Sequence, residues 1–103
     1  HISAVPNDPQ YNRQWNFRDI NVEQAWDETR GAGVTVAVID TGVSIVPDLK
    51  STKFVPGYDF VKNKDEVSDD NGHGTHVAGT IAQSTNNGYG VAGVAYEASI
   101  MPL

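Results

Sequence analysis

Val34-Thr35-Val36-Ala37-Val38-Ile39-Asp40-Thr41-Gly42 is an apolar run that ends in a carboxylate. Its β-branched residues show no in/out alternation, which predicts a strand buried on both faces, as in a parallel sheet covered by helices. In open α/β sheets ligands bind outside the carboxyl ends of the strands. Asp40 is therefore expected at the floor of a crevice, with Thr41 and Gly42 turning the chain away from it.

Downstream lies Asp70-Asn71-Gly72-His73-Gly74-Thr75-His76-Val77-Ala78-Gly79-Thr80. A helix is predicted from His73 to Ser84, with Val77, Ile81 and Ser84 on one side and Gly74, Ala78, Gly79 and Ala82 small enough for close packing. An aspartate at a strand's end and a histidine at a helix's start can face one crevice as orienting carboxylate and general base. Asp40 would accept the imidazole Nδ1–H and fix the tautomer, leaving Nε2 free to take a proton. Histidine suits that role because its unperturbed pKa of about 6.5 lies near working pH. The plainer reading of the same pair is a structural bond at a helix start. His76 competes with His73, and the two with an acid could bind a metal. A zinc-protease helix, however, pairs histidines at i and i+4 with an adjacent Glu, which is absent here.

The two stretches, Val38-Ile39-Asp40-Thr41-Gly42-Val43 and His73-Gly74-Thr75-His76-Val77-Ala78-Gly79-Thr80, resemble the aspartate and histidine signatures of the subtilisin-like serine proteases, the subtilases of peptidase family S8. The likeness runs from about Pro6 to Leu103. It implies a three-layer α/β fold with a mostly parallel central sheet, of which residues 1–103 form the N-terminal part. It also implies a serine endopeptidase in which Asp40 and His73 are catalytic, His76 is packed and hydrogen-bonded, and the nucleophilic Ser and an oxyanion-hole Asn lie downstream. No serine here stands in a Gly-Thr-Ser-Met-Ala-like setting. Polypeptide substrates, a propeptide during maturation and a companion C-terminal segment are the partners implied. The rival readings are a metal-dependent hydrolase and an inactive subtilase homologue acting as a binding module.

Thermitase-like members of that family hold a strong calcium site between the N-terminal arm and two loops. Position by position, the resemblance assigns it carboxylates of Asp8 and Asp48, the amide oxygen of Asn87, and backbone carbonyls of Ser84, Tyr89 and Val91. Oxygen donors drawn from separated segments suit structural Ca²⁺. A second site in the loop before the histidine motif would use Asp59, but Lys62 and Lys64 stand where carboxylates are needed, and ammonium groups repel a cation. No EF-hand loop fits that segment: with Gly72 at its sixth position, Val67 would fall at the first, where a carboxylate is required.

The composition agrees with this setting. Of 103 residues, 13 are acidic and 7 are Lys or Arg, for a net charge of −6, which argues against nucleic-acid or anionic-membrane partners. There is no cysteine, hence no disulfide or thiolate chemistry. The chain opens on His1, with no basic-then-apolar leader and no apolar run near the ~18 residues of a membrane span. It reads as processed soluble protein, and the resemblance implies secretion.

Residues 1–19 read as an extended arm, Pro-rich and without period, anchored by Trp15 and Phe17. Asn21 to Gly31 has a helix's punctuation, with Asn21 as N-cap, Gly31 as C-cap, and Val22, Ala25 and Trp26 on one face. Val43 to Lys50 is a loop. Phe54-Val55 and Tyr58-Asp59-Phe60-Val61 look like short strands parted by Pro56-Gly57, and Lys62 to Asn71 is a charged, exposed loop. Residues 85–90 are turn-rich, and Ala98 to Leu103 reads as a further strand, in which Pro102 cannot donate to a ladder. Because Leu103 falls inside that strand, the chain is expected to be a fragment docked on the remainder of its domain.

Overall fold

The computed structural model describes residues 5–64 and 67–103. The apolar run folds as β1 (Thr35–Val38), which pairs in parallel with β3 (Ser99–Pro102), in register from Thr35↔Ser99 to Val38↔Pro102. On the other side of β3 lies β2 (Lys53–Phe54), again parallel, so the described sheet has the order β1-β3-β2. The expected α/β class with parallel strands is therefore what forms.

The helix of the histidine motif, α3 (His73–Ala82), packs on β1 and β3. Gly74, Ala78, Gly79 and Ala82 are its buried residues, and their small size lets the helix backbone approach the sheet closely. Between them lies a core of Val38, Leu49, Ala78, Ala82 and Ile100, with Val36, Phe54, Val77 and Ile81 packed against it. Ser84 falls outside α3, which ends at Ala82; it is buried in the following loop, where its Oγ accepts the Ser51 N–H at 2.9 Å.

Burial of β1 on both faces does not occur among the described residues. Val36 and Val38 turn toward the α3 side, whereas the alternating Thr35 and Ala37 are exposed, and flanking Val34 and Ile39 are 54% and 82% exposed. β1 is an edge strand in this sheet, with a helix over one face only.

The arm is more structured than its sequence suggests. A 3-10 turn (Tyr11–Arg13) leads into α1 (Trp15–Asp19), and residues 1–4 of the expected arm lie outside the described residues. Of the two expected anchors only Phe17 is buried; Trp15 is 64% exposed. Residues two apart on a helix face different directions, so α1 can turn only one of them inward. The arm's second anchor is Tyr11, which with Phe17 packs against Val22, Trp26 and Ala92. Tyr11 donates its hydroxyl to Glu23 at 2.6 Å, and Trp26 Nε1–H donates to the Val94 carbonyl at 2.7 Å.

The expected Asn21–Gly31 helix is cut to α2 (Val22–Trp26). Asn21 holds the N-cap position of α2, its carbonyl accepting the Gln24 N–H at 3.2 Å, but its side chain makes no cap bond and its φ is 56°. It also closes α1 in the left-handed conformation that Asn tolerates at a helix end, its N–H donating to the Arg18 carbonyl at 3.1 Å. One turn suffices to bury Val22 and Trp26, while Ala25 is exposed. Gly31 caps nothing; at φ +89° it carries the chain past the Ala95 and Ala98 side chains.

Tyr58 to Val61 forms a turn rather than a strand, with Asp59 bridging to Lys64. Asp59 Oδ1 accepts the N–H groups of Val61 and Lys62 at 3.0 and 2.9 Å, an Asx turn that outcompetes strand pairing. The charged loop that follows is largely exposed as expected, its residues 65–66 lying outside the described residues. Pro102 sits inside the central strand without a lost bond. Its carbonyl accepts the Tyr58 N–H at 3.1 Å, so its nitrogen faces the same side, where β2 has already ended at Phe54.

Candidate active site

Asp40 emerges just past β1, its N–H still donating to the Leu103 carbonyl at 3.3 Å. His73 is the first residue of α3. The imidazole Nδ1 lies 2.8 Å from Asp40 Oδ2 and 2.9 Å from Oδ1, and the Thr41 N–H donates to Oδ1 at 2.7 Å. The bond from His73, then that from Thr41, hold the Asp40 carboxyl below the usual carboxylate range. An ionised acceptor at Nδ1 selects the tautomer protonated there. The Asp40 side chain is 17% exposed and that of His73 67%, and Nε2 has no hydrogen-bond partner among the described residues. A cleft of about 410 Å³ opens beside the pair, lined by Ile39, Asp40, Thr41, Phe60, Val61 and Leu103. The arrangement can accept a proton at Nε2 and stabilise the resulting imidazolium.

His76, expected to be packed, is exposed. The buried stripe of α3 runs through Gly74, Ala78 and Ala82, and position 76 lies on the opposite side of the helix.

Asp69 was not singled out from sequence. Its Oδ1 accepts Thr41 Oγ1–H at 2.8 Å and the N–H groups of Asn71 and Gly72 at 2.9 and 2.8 Å, while Oδ2 accepts both N–H and Oγ1–H of Thr75 at 2.8 and 2.6 Å. Partial burial alone would raise its pKa, but the bonds from Thr75, Gly72 and Asn71 outweigh it and hold the carboxylate well below its ordinary range. The readable signal was an Asp two to three residues before Asn71-Gly72 at a helix start, a pattern that fits side-chain capping as well as a solvated loop.

Several of the residues that the resemblance assigns to a cation are hydrogen-bonded to one another, each through an N–H donor rather than the oxygen the assignment uses. Asp48 Oδ1 accepts Asn87 Nδ2–H at 3.0 Å, and Oδ2 accepts Gln83 Nε2–H and the Val91 N–H at 2.6 and 3.2 Å. The Ser84 N–H donates to the Asp48 carbonyl at 2.6 Å, and the Tyr89 N–H to Asn87 Oδ1 at 3.1 Å. Asp8 joins through the Asn86 N–H, 2.6 Å from its Oδ2. Its Oδ1, however, is buried without a hydrogen-bond partner among the described residues, and burial, aided by the Asp48 charge, pushes its pKa up. The orphaned Asp8 Oδ1, near the Asp48 charge, fits a hard cation, whereas the Asp48 oxygens and Asn87 Oδ1 already accept N–H donors. In the other loop Asp59 Oδ1 accepts two backbone N–H groups, and Lys62 pairs with Asp70 at 3.7 Å.

The model of the subtilase family matches residues 31–103. Thermitase of Thermoactinomyces vulgaris is 49% identical over 101 residues, covering 96% of this chain and 36% of that protein. An extracellular protease of Xanthomonas campestris pv. campestris is 36% identical over 135 residues, covering 100% of the chain and 23% of that protein. Proteins named intracellular serine proteases also match. Among solved structures, a protease from Pseudoalteromonas arctica PAMC 21717 superposes with a TM-score of 0.89 at 38% identity, over 96% of this chain and 38% of that one. The chain thus spans between 23% and 38% of the length of these relatives.

Proposed function

The chain belongs to the subtilase family, and from that premise we propose that it supplies the aspartate and histidine of a secreted serine endopeptidase acting on polypeptides. The observation that carries this reading is the 2.8 Å contact between His73 Nδ1 and Asp40. In the proposed reaction His73 Nε2 takes the proton of a serine hydroxyl as its oxygen attacks the peptide carbonyl. The proton then passes to the leaving amine, the C–N bond breaks and an acyl-enzyme forms. Water, deprotonated by the same Nε2, releases the acyl group and restores the serine. Asp40 stays ionised throughout, holding the Nδ1–H tautomer and stabilising the imidazolium. The serine, the oxyanion-hole donor and most of the substrate cleft belong, on this reading, to a companion C-terminal segment, and a propeptide accompanies maturation.

Asp8, Asp48 and Asn87, with carbonyls of Ser84, Tyr89 and Val91, would hold Ca²⁺. When bound, that ion supplies charge neutralisation between two carboxylates and a tie between the arm and two loops. Its support is the unpartnered Asp8 Oδ1.

The test is peptide hydrolysis by the full-length protein, treated separately with a serine-directed sulfonyl fluoride and with a chelator. Inactivation by the sulfonyl fluoride, with chelator acting only through slower thermal loss, is expected. Immediate loss with chelator and indifference to the sulfonyl fluoride would mean metal-dependent hydrolysis. Absence of turnover would leave a binding module. Localisation is read from culture fractions of the producing cell, with activity expected in the medium.

A further inference from the structure

A hydroxyl has one proton, so where that proton goes decides what the oxygen can accept. Thr41 Oγ1 gives its proton to Asp69 Oδ1 and so turns a lone pair to the Gly74 N–H, 2.9 Å away. Thr75 Oγ1 likewise gives its proton to Asp69 Oδ2 and accepts the Ser44 N–H at 3.0 Å. Thr41 and Ser44 lie in the turn that follows β1, next to Asp40; Gly74 and Thr75 lie in the first turn of α3, next to His73. Beside the Asp40–His73 bond itself, the two hydrogen bonds that tie the segments together thus run through hydroxyls whose direction is set by one carboxylate. The Asp69 N–H closes the frame by donating to Ser44 Oγ at 3.2 Å.

We propose that Asp69 is the positioning residue of the Asp40–His73 pair, acting through Thr41 and Thr75 rather than by touching substrate. This rests on the catalytic reading above, but its geometry does not. Asn cannot replace Asp69. One of its two side-chain atoms would be an NH₂, set either against the N–H groups of Asn71 and Gly72 or against that of Thr75. At least one threonine hydroxyl would then lose its acceptor and be free to rotate its proton toward the N–H it now receives. Released by one link, the imidazole and carboxylate drift out of register, and a misplacement of about 1 Å is enough to reduce turnover roughly 10²-fold.

The experiment uses the full-length protein and the variants Asp69→Asn, Thr41→Val and Thr41→Ser. Turnover is split into kcat and KM, and the downfield proton resonance of His73 Nδ1–H is followed by NMR below the melting temperature of each variant. A loss of about 10²-fold in kcat with little change in KM is expected for Asp69→Asn. Thr41→Val should show a smaller loss of the same kind, and Thr41→Ser should recover most of it. The Nδ1–H resonance should broaden or shift in the first two and return in the third. Wild-type kcat and an unmoved resonance in both Asp69→Asn and Thr41→Val would overturn the proposal. If Asp69→Asn does not fold, the Thr41 pair decides. If the wild type turns over no peptide, the catalytic reading has failed, and the resonance alone still decides whether Asp69 positions the pair.

Discussion

Gly74 stands so close to the carbonyl of Gly42 that a Cβ placed on it would overlap that oxygen. The contact joins the first turn of α3 to the turn after β1, backbone against backbone. In an open helix Ala would be favoured over Gly by about 1 kcal/mol. Here the sign reverses: Gly74→Ala should destabilise the full-length protein by about 1–3 kcal/mol, the usual cost of overpacking. Thermal unfolding measures it, and a variant as stable as wild type would show that the two turns separate easily.

Asp40→Asn should leave the protein folded, with a small drop in melting temperature at neutral pH, and lower kcat by about 10⁴, because the amide favours the wrong imidazole tautomer. His73→Ala should be at least as damaging. His76 is exposed, so His76→Ala should change stability by no more than about 0.5 kcal/mol and leave kcat alone. Steady-state kinetics on the three full-length variants checks this, and a reversed order of the two histidines would refute the site.

The acids predict opposite responses to pH. Asp40 is held below its unfolded value of about 3.9, so between the two values the unfolded chain binds more protons. Its contribution is fully present above about pH 4 and fades as pH falls through the folded value. Asp69 acts in the same sense, its hydrogen bonds outweighing burial. Asp8 is raised, so its contribution is largest in acid and declines as pH rises through its folded value. Urea unfolding in metal-free buffer should show a shallower acid slope for Asp40→Asn and a smaller decline toward neutrality for Asp8→Asn.

Calcium should reverse the sign of the Asp8 substitution. Without metal, Asp8→Asn removes a buried charge and should be neutral or stabilising at pH 7. With metal it removes a ligand, and the stabilisation of about 2.7 kcal/mol that a hundredfold excess over Kd confers should be largely lost. Asp48→Ala should abolish most of the calcium response. Melting curves with chelator and with Ca²⁺ read both effects, and an undiminished response in Asp48→Ala would rule out the ligand set.

What could be read from sequence was whatever rests on local pattern. The Val34–Ile39 run gave a parallel strand, and Gly72-His73 gave a helix starting at His73, because period and punctuation act within a few residues. The failures each involve a longer-range choice. Asn21 suits a side-chain N-cap and a left-handed helix end equally, and only the preceding α1 decides. Trp15 and Phe17 are equally apolar, and the helix phase chose between them. Asp69 looked like one more acid in a charged loop until the fold brought Thr41 to it.

The strand order β1-β3-β2 places the last of the described strands at the centre of the described sheet. Among the described residues, β1 and β2 each pair with β3 and not with each other, so both of these pairings wait until Ser99–Pro102 has been made. At a ribosomal pace of about 5–20 residues per second, the β1 side of its pairing waits several seconds with its backbone N–H and C=O groups unpaired. Ribosome pausing just before β3 would lengthen that exposure more than pausing after it.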